Sequence, residues 1–227
     1  MIRKQFNQDL EHLQDELLIL GSMASHALTH SVNVLMRLDQ QQAKVLIEND
    51  RIINAKKYQI EETCLKLIAT QQPLARDLRL VTGAIELSTE LERIGDYAKG
   101  IGKITRYLGP NPQVSPPAQL PTMRDTVVSM LRRALDAFVD QDLQTARTLP
   151  LQDDEVDDLY NEINHQMLQF IVKQPSSMDQ VNYIIWAAHN LERAGDRVTN
   201  ICERTIYTIT GEFVEMDETV YDMSAVA

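Results

Sequence analysis

A six-residue string occurs twice in this chain, 100 residues apart. It reads Leu91-Glu92-Arg93-Ile94-Gly95-Asp96 and then Leu191-Glu192-Arg193-Ala194-Gly195-Asp196. Other landmarks return at nearly the same distance. Gln72-Pro73 comes back as Gln174-Pro175, 102 residues on, and Asp50 matches Asp154 at an offset of 104. A unit of about 100 residues repeated once does not make a solenoid, which needs more and shorter repeats. It predicts two similar units related by a pseudo-twofold axis.

The spacing of apolar residues within each unit is helical. Phe6, Leu10, Leu13, Leu17, Leu20, Ala24, Ala27, Val34 and Leu38 follow steps of four and three, with Ser31 filling one slot. That is a bundle stripe on one long helix. Asp39 is the predicted N-cap of a second helix carrying Leu46, Ile53, Ile60, Cys64 and Leu67. Proline disfavours helix for the residue before it, so Gln72-Pro73 ends that run. A third helix carries Val81, Ala84, Leu87, Leu91, Ile94, Ala98 and Ile101. Five of the eight prolines then fall between Gly109 and Thr122, which predicts an extended linker. Three more helices follow, centred on Val127–Phe138, Val156–Phe170 and Ser177–Thr210. The expectation is an all-α protein of two three-helix bundles: residues 1–108, a linker at 109–121, residues 122–214, and an acidic, frayed tail at 215–227.

Composition narrows the function. With 22 Lys and Arg against 33 Asp and Glu, the net charge is −11. Such a chain repels phosphate backbones, so no nucleic-acid partner is expected. The start of the chain lacks a secretory signal, and no run approaches the ~18 apolar residues of a membrane span. The expected location is the cytoplasm, with Cys64 and Cys202 as buried, unpaired thiols. No Gly-rich phosphate loop and no Gly-x-Ser-x-Gly elbow is present, so the chain is not expected to be an enzyme.

Glu92 with Asp96, and Glu192 with Asp196, place two carboxylates on one helix face one turn apart. Such a pair can share a hard cation if a neighbouring helix adds oxygens. Asp50 and Asn54 on the second helix, and Asp154, Asp158 and Glu162 on the fifth, are the candidates. A solvated acidic face is the plain alternative. Gly95 and Gly195 each cost about 1 kcal/mol against Ala in a helix, and their repetition points to close helix approach. Arg93 and Arg193 are expected in surface ion pairs. Lys99 and Lys103 follow Glu92 and Asp96 along one face, whereas Glu203 follows Glu192 and Asp196. On that count the second site is more negative and should bind divalent ions more tightly. Two lesser patterns compete: Glu162-x-x-His165, with the spacing of a di-iron enzyme, and His26 with His30, a possible zinc clasp.

Together, the repeated Leu-Glu-Arg-x-Gly-Asp string, the Gln-Pro breaks and the acidic second helices resemble the PhoU family of bacterial phosphate-uptake regulators. The resemblance covers about residues 5–210. It implies two three-helix bundles whose carboxylate motifs bind metal ions. The matching positions are Asp50, Glu92, Asp96, Asp154, Asp158, Glu192 and Asp196, and Asn54 departs from the pattern by standing where a carboxylate would parallel Asp158. The implied cofactors are divalent ions (Mg, Mn, Fe or Zn). The implied role is negative regulation of the phosphate-starvation response, between a phosphate ABC transporter ATPase and a sensor histidine kinase. A homodimer, recruited to the membrane only indirectly through those partners, is the implied state.

Overall fold

The computed structural model describes residues 2–216, and their regular elements are helical. Six helices are long: α1 (Ile2–Arg37), α2 (Gln40–Gln71), α3 (Ala75–Leu108), α4 (Gln119–Asp140), α6 (Asp153–Lys173) and α7 (Met178–Thr210). A six-residue helix, α5 (Leu143–Thr148), lies between α4 and α6 and was not expected. Its few apolar positions, Ala146 among them, are too short a run to show a period. Residues 217–227 of the acidic tail lie outside the described residues.

The helix ends follow from local chemistry. Asp39 caps α2 as expected, accepting from the backbone N–H groups of Gln41 and Gln42 at 3.1 and 2.9 Å. Gln72 closes α2 in the left-handed region at φ 48°, and Pro73 stops any continuation. At the matching break, Pro175 opens a short 3₁₀ turn, Pro175–Ser177, that leads into α7. Because α4 begins at Gln119, Pro121 falls in its first turn, where a helix has no N–H to lose. The segment between α3 and α4 is pinned down. Val114 is buried, the Gln113 N–H donates to Gln180 Oε1 at 2.7 Å, and Gln174 Nε2 donates to Gln113 Oε1 at 3.0 Å.

The stripe on α1 drifts relative to the expected one. Leu28 and Leu35 are buried where Ala27 and Leu38 were expected, because a straight helix precesses against a strict seven-residue repeat. Ser31 is fully buried and donates to the Leu28 carbonyl at 2.8 Å, which satisfies its hydroxyl. Helices α1–α3 form one bundle and α4, α6 and α7 the other. The bundles meet along two antiparallel seams. On the first, Gly21 of α1 lets Leu135 of α4 approach, and Arg124 donates to Asn33 Oδ1 at 2.8 Å. On the second, α3 runs against α7, with Arg79 donating to the Thr208 carbonyl at one end and Tyr107 against Tyr183 at the other. Glu90 lies mid-seam, 2.9 Å from Arg93, 3.4 Å from Arg197 and 3.3 Å from Asn200. One continuous apolar core runs through both bundles.

Candidate functional site

The two glycines fix which acids meet. A methyl group on Gly95 would press on Ile53 of α2 at 3.0 and 3.1 Å, and one on Gly195 would run into Asp153 and lie 3.6 Å from Val156 of α6. Ile53 therefore corresponds to Val156, an offset of 103. The buried pairs Leu46 and Leu149, Ile60 and Ile163, and Cys64 and Met167 keep that offset. In this register Asp50 corresponds to Asp153 and Asn54 to Asp157. Asp154 and Asp158, expected at these places, are exposed, as is Asp157, while Asp153 is half-buried. At 100° per residue Asp154 and Asp158 lie about 160° around α6 from the buried Val156, whereas Asp153 and Asp157 lie about 60° and 100° from it. In the register of the core positions, Asp153 and Asp157 take the places that the sequence pattern assigned to Asp154 and Asp158.

In the first half, α2 supplies Asp50 and Asn54 and α3 supplies Glu92, Asp96 and Lys99. The Lys99 ammonium bridges the helices, 2.7 Å from Asp50 Oδ2 and 3.2 Å from Asp96 Oδ1. Asp50 is only 6% exposed, and Asn54 Nδ2 also donates to its Oδ2 at 3.3 Å. Asp50 Oδ1 and Asn54 Oδ1 are buried with no hydrogen-bond partner. The hydrogen bond to Asp50 holds the Lys99 ammonium above its ordinary pKa despite partial burial, and Asp96 adds to it. Burial raises the Glu92 carboxyl, with further push from Asp96 and Asp50 and opposing pull from Lys57 and Arg93. Lys103, expected on this face, instead lines a shallow depression with Ile47, Arg106 and Tyr107.

In the second half, Glu192 and Asp196 stand on α7 and Asp153 and Asp157 on α6. Burial raises the Glu192 carboxyl; Asp196 and Asp157 push it further, and His189, whose Nδ1 is 3.0 Å from Glu192 Oε2, works against them. Glu203 is engaged elsewhere, accepting from the Met216 N–H at 2.6 Å. Among the described residues, no three His, Cys, Asp or Glu side chains are placed to hold a metal ion together. The donors fit a hard cation by chemistry, being carboxylate oxygens gathered from two helices. Bringing them onto one ion takes side-chain rotation.

The remaining expectations resolve simply. Arg93 pairs with Glu90, while Arg193 lies over the Tyr97 ring, 5.5 Å from its centroid, across the seam. Glu162 and His165 both face solvent, with His165 taken up by Gln169 at 2.8 Å. His26 and His30 stack one turn apart and line a cavity of about 510 Å³ whose wall also includes Asp50 and Lys99.

Fold and site define an all-α protein of two packed bundles, each carrying a carboxylate motif where its second and last long helices meet. Comparisons with known proteins agree. The PhoU domain matches residues 17–105 and again 120–205. The chain belongs to the PhoU family. It is 37% identical over 219 residues to the phosphate-specific transport system accessory protein PhoU homolog of Clostridium acetobutylicum, covering 96% of this chain and 100% of that protein. A Caulobacter vibrioides homolog of the same description is 33% identical over 92% of this chain and 91% of its own. Among solved structures, the phosphate transport system regulatory protein PhoU from Streptococcus pneumoniae superposes with a TM-score of 0.86 at 30% identity, over 93% of this chain and 100% of that one. PhoU from Pseudomonas aeruginosa gives 0.83 at 32%, over 91% and 100%.

Proposed function

We propose that this protein is a non-enzymatic accessory regulator of phosphate-specific transport, and that it acts by binding. The observation that carries the reading is the end-to-end match to proteins described as accessory to that system. The long helices offer extended faces for partners, and among the described residues no helix is long and apolar enough to cross a membrane. The partners proposed are the transporter's ATPase and a phosphate-responsive sensor histidine kinase. The sense of the regulation is negative, the location cytoplasmic, and a homodimer the acting form. Deleting the gene should raise phosphate-starvation gene expression in phosphate-rich medium. An unchanged response, with the rest of the pathway intact, refutes the reading.

A divalent ion belongs to the same proposal. Glu192, Asp196, Asp153 and Asp157 would hold it, and the ion would neutralise their mutual repulsion and tie α6 to α7. Calorimetry with Mn²⁺ on protein freed of metal tests this. Replacing Glu192 and Asp196 by Ala should remove most of the tight binding, and replacing Glu92 and Asp96 should remove less.

A further inference from the structure

We propose that the exposed side of the α3–α7 seam is a docking groove for an acidic chain segment, and that residues 217–224 of this same chain occupy it as a strap across the two bundles.

The residues after α7 already enter that groove. Gly211, in the left-handed region at φ 83°, ends α7. Phe213 then stacks on Tyr207 with ring centroids 4.2 Å apart. The Arg204 guanidinium lies over both rings while pairing with Glu86 of α3. The Met216 N–H donates to Glu203 Oε1 at 2.6 Å, so the chain has doubled back along α7. Phe213, Val214 and Glu215 line a groove of about 320 Å³ that extends to Glu90 on α3 and Asn200 on α7.

Beyond Glu90 the seam turns basic. Arg93 and Arg197 both pair with Glu90, and Arg193 lies over the Tyr97 ring. Three guanidinium groups thus share this stretch with one carboxylate, and Asp196, 4.0 Å from Arg197, stands at its edge. The residues next in the chain have the opposite sign. Asp217, Glu218 and Asp222 fall before Ser224, with no Lys or Arg among residues 217–224. Matched charge of this kind fixes the register of a docked segment.

The lengths agree as well. From Glu203 back to Trp186 is 17 residues of helix, or about 26 Å. Eight extended residues after Met216 also span about 26 Å, which brings Ser224 level with Trp186. On the way Glu218 draws level with Arg197, and Asp222 passes Arg193. At that end of the seam Tyr107 packs on Tyr183 and Tyr183 on Trp186, with centroids 5.5 and 5.8 Å apart. Tyr107 and Trp186 are exposed, and they give Met223 the aromatic surface that a thioether favours.

Trp186 is the single tryptophan of the chain and serves as the reporter. In Ser224→Cys carrying a thiol-linked nitroxide, Trp186 should lose most of its emission relative to the unlabelled protein. Cys64 and Cys202 are buried and escape the label. Adding Asp217→Lys with Glu218→Lys, both beyond α7 in the chain, should restore most of the emission, as should high salt. Arg93→Gln with Arg193→Gln should do the same from the seam side. In unlabelled protein, the two lysine substitutions should make Trp186 more accessible to acrylamide. Quenching in labelled Ser224→Cys no greater than in its lysine variant overturns the proposal. Quenching that vanishes when the labelled chain is diluted into excess unlabelled chain places the strap on a second copy, and overturns docking within one chain.

Discussion

Gly195 has so little room that the side chain opposite it is itself one of the clustered acids. A methyl group there collides with Asp153, whereas on Gly95 its nearest neighbours would be Ile53 atoms at 3.0 and 3.1 Å. Overpacking a tight contact costs about 1–3 kcal/mol. Gly195→Ala should lose stability in that range and also weaken Mn²⁺ binding, because Asp153 must move. Gly95→Ala should lose stability while Mn²⁺ binding is kept. Urea denaturation and calorimetry on both variants decide it, and equal effects on Mn²⁺ would refute the assignment of Asp153. The close approach was legible in the sequence from two glycines at matching places. The acid partner was not, because Asp153-Asp154-Glu155-Val156-Asp157-Asp158 offers an Asp-x-x-x-Asp pair in either of two registers. Only the core positions Leu149, Val156 and Ile163 choose between them.

Helices are easier to read than the faces they turn to one another. The break at Gln72-Pro73 and the cap at Asp39 depend on chemistry within a few residues, so the chain itself displays them. Asp39→Ala removes the acceptor for two N–H groups and should cost about 1 kcal/mol, read as a lower urea midpoint with unchanged slope. Asp39 lies far along the chain from Glu92 and Glu192, and Mn²⁺ binding should not change. Faces depend on packing. Lys99 and Lys103 differ by one turn and look equivalent along α3, yet one bridges to α2 and the other sits beside Tyr107. The short α5 shows a local cap, Asp142 accepting from Gln144 and Thr145, but its six residues are too few for a period, and the burial of Ala146 that holds it down is tertiary.

At the scale of the molecule, the clustered acids leave a signature in pH. Folding raises the Glu92 and Glu192 carboxyls, so each keeps a proton that the unfolded chain has already released. Above the ordinary Glu range, stability therefore falls as pH rises through their raised values. Asp142, held down by the Thr145 hydroxyl, and Glu62, held down by Lys66, act the other way and lose their contribution on acidification. Metal-free protein in EDTA should melt higher at pH 5 than at pH 7.5, and a flat profile would show that the raised carboxyls carry no weight. The repeat made two bundles legible, but not that one core runs through both. The apolar faces which join them look, in sequence, like ordinary bundle stripes. That shared core has a consequence for how the protein opens. Cys64 in α2 and Cys202 in α7 are both buried thiols, and burial pushes each up to about 12. Neither reacts until its own neighbourhood comes apart, so the pair forms two clocks, one in each bundle. With iodoacetamide in native buffer, joint opening of the shared core predicts that both are alkylated at the same slow rate. If Cys202 were modified many times faster than Cys64, or the reverse, the two bundles would be opening as separate units.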